Sequence, residues 1–210
     1  MPAIGITGSI ATGKSTFCRL VRELMPEATF FDADQAARSL TDDDPEAREE
    51  IRAVFGEEVY SREGDLNRDK LRAIMLASAA KRVALEEILH PRIRSQWSAE
   101  AQRYRKSQDF FFADIPLLYE TGGETLCDRV VVVACSPEVQ LRRLLERRSP
   151  VDGVSMKEKE ANEMIKAQMP IEEKINRADH VIWNNDDIPV MAEQTRDLVN
   201  LWRRWSGQAK

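Results

Sequence analysis

The 210-residue chain can hold one α/β domain with a substantial core and a small inserted subdomain. With 42% hydrophobic residues, 32% charged residues and a formal net charge of −5, it reads as an ordinary globular protein, without a dominant basic footprint for nucleic acid. The three cysteines, Cys18, Cys127 and Cys135, form no CxxC pair and are too few for a disulfide framework; with an opening segment unlike a signal peptide and no apolar run of membrane-spanning length, the expected setting is the reducing cytoplasm, away from membranes.

Ala3–Ile6 reads as a short buried strand, followed by a Gly/Ser/Thr loop. Phe17, Leu20, Val21 and Leu24 then repeat at helical spacing until Pro26 ends the pattern. Thr29-Phe30-Phe31 reads as a second strand, closed by Asp32-Ala33-Asp34. Residues 35–106 are mostly helical in pattern, with expected breaks near Asp42–Pro45, Gly56–Asn67 and His90-Pro91. This long charged stretch is an excursion from a sheet and a candidate acceptor-binding subdomain. Phe110–Ala113 and the β-branched run Val130–Ala134 return to strand character, the latter suited to a strand covered on both faces. Val139–Arg148 reads as a helix with Leu141, Leu144 and Leu145 inward, Ser149–Ser155 as an exposed loop, and Lys157–Met169 as another helix. His180–Trp183 is the last expected strand, and Met191, Thr195, Leu198, Trp202 and Trp205 trace one face of a closing helix. The alternation predicts an α/β fold, a mostly parallel five-stranded sheet flanked by helices. It gives a single domain with its core in 1–34, 108–148 and 178–206, a helical subdomain over about 35–107, and a lid over about 143–177.

Gly8-Ser9-Ile10-Ala11-Thr12-Gly13-Lys14-Ser15 matches G-x-x-x-x-G-K-[ST] at every fixed position. Glycines let the backbone close around phosphate oxygens where a Cβ would clash. The amides of the loop and of the following helix start, through Thr16, point at the anion, Lys14 brings a charge to the β- and γ-phosphates, and the Ser15 hydroxyl suits Mg²⁺. From average residue usage, a chain of this size meets the pattern by chance well under about one time in a hundred. The loop therefore predicts nucleotide binding with ATP and Mg²⁺, in a P-loop NTPase fold.

The loop alone does not separate kinases from GTPases or motor ATPases. No N-K-x-D guanine reader is present, since Asn184-Asn185-Asp186-Asp187 lacks the lysine, and the Phe110–Asp114 strand ends in one Asp followed by Ile115-Pro116. Transfer to a small acceptor needs a base beside the hydroxyl, cations around the moving phosphoryl group, and exclusion of water. Asp32 and Asp34 end a strand, hence at the carboxyl edge of the sheet where ligands bind. If the strand continued, both would share a face. Asp34 is a candidate base or a helix N-cap. Asp114 is a Mg²⁺ partner, a substrate contact or a turn former before Pro116. Arg143 and Arg147, four apart and beside Arg142 and Arg148, form a phosphate clamp or a solvated face paired with Glu146. The acceptor stays open on these grounds between nucleosides, nucleotides and shikimate-like compounds, and a regulatory ATP-binding protein is the alternative of another class.

Over nearly its whole length the chain resembles the dephospho-coenzyme A kinase family. The resemblance runs through Thr7–Thr16, Asp32-Ala33-Asp34 with Ala37-Arg38, Gly64–Arg68 with Leu71, and His90-Pro91. It continues in Asp114-Ile115-Pro116-Leu117-Leu118-Tyr119-Glu120, Gln140 with Arg143 and Arg147, Gln168, Ala178–Ile182 and Asn184. Such a resemblance implies transfer of phosphate from ATP to the ribose 3′-hydroxyl of dephospho-coenzyme A. It implies Asp34 as general base, with Lys14 and Arg143 as catalytic cations. Gly8, Ala11, Thr12, Gly13, Lys14, Ser15, Thr16, Arg143 and Arg147 would hold the nucleotide, and Ser15 the metal. Asp34, Arg38, Leu66, Arg68, His90, Asp114, Pro116 and Leu117 would form the acceptor side. The chain departs from the family pattern at Ser9 and Ala11, where glycine is usual, and at Asn67, where aspartate is common.

Overall fold

The computed structural model describes residues 3–104, 109–147 and 155–208. Arg148 and most of the Ser149–Ser155 loop lie outside the described residues. The chain folds as two compact units, Met1–Phe31 with Ala101–Lys210, and Asp32–Glu100.

The first unit is built on five strands: β1 (Ala3–Gly8), β2 (Thr29–Asp32), β3 (Phe111–Asp114), β4 (Arg129–Ala134) and β5 (His180–Trp183). Their order is β2-β3-β1-β4-β5. β1 runs parallel to both β3 and β4, and β4 parallel to β5. All six residues of β1 and all of Val130–Ala134 are buried, as the continuous apolar runs require. On one face, Ile4, Ile6, Phe112, Val131, Val133 and Ile182 meet α1 (Lys14–Leu24) and α9 (Ile188–Gln208) through Phe17, Val21, Met191 and Trp202. Alternation in the strands and a 3.6-residue stripe in the helices make that contact possible. Phe112 lies between Phe30, at 4.8 Å, and Trp202, at 5.5 Å between ring centroids. The remaining helices of this unit are α6 (Pro137–Glu146), α7 (Glu158–Lys166) and α8 (Ile171–Arg177), and the last packs against β4. From β1 the chain passes to β2 and β3 on one side and to β4 and β5 on the other. That reversal falls at the carboxyl end of β1, the position where ligands settle in open α/β sheets.

The second unit holds α2 (Ala33–Asp43), α3 (Pro45–Phe55), α4 (Arg68–Ala77) and most of α5 (Ala79–Tyr104). Its core gathers Leu40, Ile51, Phe55, Val59, Tyr60, Leu71, Leu85, Ile88 and Leu89. The break at Asp44-Pro45 falls where expected: Asp44 accepts from the Ala47 amide at 2.8 Å, and Pro45 takes the first helical turn. Between α3 and α4, a Ser61–Gly64 turn closes a one-pair antiparallel bridge, Tyr60 with Leu66. Asn67 caps α4 by accepting from the Lys70 amide at 3.0 Å. Asparagine and aspartate are equivalent in that role.

Two expectations fail, the helix break at His90-Pro91 and the single helix carrying both Arg143 and Arg147. His90-Pro91 does not break the helix, because α5 carries Pro91 in its interior. Proline withholds one donor from the ladder. The carbonyl it leaves without a ladder donor is that of Glu87, one turn earlier, and the helix continues past that single gap. The second strand ends at Asp32, and α2 begins at Ala33, so Asp32 and Asp34 do not share a strand face. α6 stops at Glu146 and Arg147 is already extended, so Arg143 and Arg147 are not consecutive turns of one helix. α8 has no counterpart in the sequence pattern. Among the described residues, no helix is long and apolar enough to cross a membrane.

Candidate active site

The loop between β1 and α1 is shaped by three backbone positions. A Cβ on Gly8 would lie 2.6 Å from the Val133 carbonyl oxygen and 2.8 Å from Thr12 Oγ1, so only glycine lets β1 end that close to β4. Gly13 has φ 94°, and its missing Cβ would stand 2.0 Å from Asn184 Nδ2. Ala11 occupies φ 60°, a left-handed conformation that glycine adopts freely and alanine only at some cost. Gly13→Ala therefore meets both a strained φ and a fixed neighbour. We expect it to lower stability by about 2 kcal/mol, read as a drop in Tm, and an unchanged Tm would refute this geometry.

Polar side chains from distant segments hold the loop. Asn184 Nδ2 donates to the Thr12 carbonyl at 2.8 Å, and Thr12 Oγ1 donates to the Ser9 carbonyl at 2.8 Å. Gln140 of α6 donates from Nε2 to the Ile10 carbonyl at 2.7 Å and to Ser9 Oγ at 2.9 Å. Gln168 Oε1 accepts from the Ile10 amide at 2.9 Å and from Ser9 Oγ at 3.0 Å. The serine at position 9 thus serves the loop's architecture, since its hydroxyl links two glutamines that grip both polar groups of Ile10.

Lys14 opens α1, and its Nζ donates to Asp114 Oδ1 at the end of β3. Both side chains are largely buried, at 14% and 7% exposure. Asp114 also accepts from Cys18 Sγ at 3.3 Å. Burial, then the Asp114 charge, pushes the Cys18 thiol far above its ordinary range, so it stays protonated and inert. Asp114 is therefore the loop lysine's partner. Pro116 offers its carbonyl to Thr7 Oγ1 at 2.9 Å, and half-buried Leu117 offers its own to Thr121. Ser15 is exposed and Thr16 half-buried in the first turn of α1. Arg143 Nη2 reaches Asn184 Oδ1 at 3.4 Å, and its Nη1 is shielded from solvent beside the Cys135 thiol, with no oxygen acceptor among the described residues. A buried guanidinium nitrogen without an oxygen acceptor fits an anionic ligand such as a nucleotide phosphate. Arg147 is exposed just beyond α6.

The other expected residues belong to the second unit. Asp34 and Arg38 are exposed on α2, Asp34 in its first turn. The N-cap is not Asp34 but Asp32, which accepts from the Gln35 amide at 3.0 Å. Leu66 packs on the helical core, and Arg68 Nη2 contacts both oxygens of Asp42 at 2.8 and 2.6 Å. His90 is half-buried on α5. The roles of Gln140, Gln168 and Asn184 carry no local signal beyond the resemblance, because isolated amides acquire meaning only once the chain brings them to the loop.

The parallel sheet and its phosphate loop make this a protein of the P-loop kinase class. A family model described as dephospho-CoA kinase matches residues 2–189. A dephospho-CoA kinase of Bacillus anthracis is 38% identical over 204 residues, 97% of this chain and 96% of that protein. One of Listeria monocytogenes serotype 4b is 39% identical over 197 residues, 93% and 94% of the two chains. The solved dephospho-CoA kinase of Campylobacter jejuni superposes with a TM-score of 0.70 at 27% identity, covering 94% of this chain and 95% of its own. The chain belongs to the dephospho-CoA kinase family.

Proposed function

We propose that the chain transfers the γ-phosphoryl group of ATP to the ribose 3′-hydroxyl of dephospho-coenzyme A, giving coenzyme A and ADP. The observation that carries the reading is Lys14, held by Asp114 within a complete phosphate loop, in a chain of this family. Amides of Gly8, Ala11, Thr12, Gly13, Lys14, Ser15 and Thr16 line the nucleotide's phosphates. Lys14, Arg143 and Arg147 balance charge on the moving group. Asp34 takes the proton of the attacking hydroxyl. Arg38, Leu66, Arg68, His90, Asp114, Pro116 and Leu117 form the acceptor side. The three unpaired cysteines suit work in the reducing cytoplasm.

The reading includes Mg²⁺. Among the described residues no cluster of three acidic, His or Cys side chains could hold a metal. The Ser15 hydroxyl, a hard oxygen at the start of α1, suits an ion that keeps several waters and binds largely through phosphates. When bound, Mg²⁺ neutralises charge on the β- and γ-phosphates. Excess chelator should abolish turnover without shifting the unfolding midpoint, and added magnesium should restore it. Turnover that persists in chelator would remove the metal from the scheme.

A coupled assay of ADP release with dephospho-coenzyme A and Mg-ATP tests the function, with phosphorus NMR of the product to locate the new ester. Turnover no faster than ATP hydrolysis without acceptor, or a phosphate elsewhere than the 3′ position, defeats it.

A further inference from the structure

Lys174 of α8 is fully buried, at 0% exposure, an unusual place for an ammonium. Its three protons meet three acceptors: Glu120 at 2.8 Å, the Pro116 carbonyl at 3.0 Å and the Gly8 carbonyl at 3.2 Å. Gly8 opens the phosphate loop. Pro116 lies two residues beyond Asp114, the partner of Lys14. Glu120 closes the same Asp114–Glu120 segment and also accepts from the Met169 amide at 3.0 Å. Burial pulls the ammonium's pKa down and the Glu120 carboxylate pulls it back up.

We propose that Lys174, neutralised by Glu120, is a positioning residue for phosphoryl transfer. It ties the Gly8 carbonyl to the Pro116 carbonyl and so fixes the register between the phosphate loop and the segment that holds Lys14 through Asp114. This rests on the kinase reading above. Transfer depends on cations and amides already aimed at the phosphates, and sub-ångström misplacement is felt in rate before affinity. A buried ion pair itself adds little stability over an apolar pair of equal volume, whereas removing one partner leaves a buried charge. That contrast separates positioning from bulk stability.

Lys174→Met alone should unfold at clearly lower temperature. Lys174→Met combined with Glu120→Leu removes both charges but leaves the Gly8 and Pro116 carbonyls and the Met169 amide without these partners, so it should regain part of the Tm lost by the single variant. If the tether positions the loop, the double variant still shows kcat for dephospho-coenzyme A lowered by about tenfold or more, with KM for ATP changed less than about threefold. A folded double variant with wild-type kcat overturns the proposal. Should the lysine variants not fold, Glu120→Gln decides. The amide keeps the volume and an acceptor oxygen but leaves the ammonium without its counter-charge, so kcat falls at unchanged KM for ATP, and an unchanged kcat overturns the proposal. A wild-type protein inactive with dephospho-coenzyme A would instead defeat the functional reading.

Discussion

Lys14→Met should reduce the rate of phosphoryl transfer by about a thousandfold, the upper end of what loss of one preorganised charge donor costs. Methionine preserves most of the stem's volume and removes the ammonium. On the proposed reading, the charge developing on the transferred group then loses the loop's lysine cation. The same change leaves Asp114 at 5% exposure without its partner, so stability should fall by about 3 kcal/mol or more. Measuring both matters, because a folded variant at saturating ATP separates chemistry from collapse. Transfer within tenfold of wild type in single turnover would exclude Lys14 from the reaction.

Asp34→Asn should lower kcat by about two to four orders of magnitude, the range for losing a general base, with ATP affinity nearly unchanged. The substitution keeps shape and removes the carboxylate proposed to accept the proton. Asp32 closes the N-terminus of α2, so Asp34 is not needed as a cap. Asp32→Ala should cost about 1 kcal/mol of stability with little effect on kcat. If Asp34→Asn turns over near the wild-type rate, another residue takes the proton.

The strands and the phosphate loop are legible in the sequence because their signals are local. Val130–Ala134 is apolar at every position, and Gly8–Ser15 holds its chemistry in eight consecutive residues. The closing helix is legible for a related reason, since Met191, Thr195, Leu198 and Trp202 repeat at 3.6-residue spacing and are all buried. His90-Pro91 misleads because a helix of 26 residues can carry one missing donor, and the dipeptide alone does not reveal how far the helix extends on either side. α8 escapes because seven residues, Ile171–Arg177, are too few to establish a period. Lys174 escapes with it: a lysine close to glutamates reads as solvated, and burial follows only once Gly8, Pro116 and Glu120 converge from far along the chain. The Asp32–Asp34 pair resembles the end of a strand because aspartate suits an extended entry to a helix. One residue decides which of them caps.

The grip of Gln140 and Gln168 on Ile10 has a consequence for how the loop meets its ligand. Both backbone groups of that residue are paired within the protein, so this part of the loop does not depend on the ligand for its hydrogen bonds. Less conformational entropy then remains to be lost on binding, and affinity is not eroded by folding the cradle anew. The Ile10 amide should exchange with deuterium slowly in the free protein, while amides nearer Gly13 slow only when the ligand arrives.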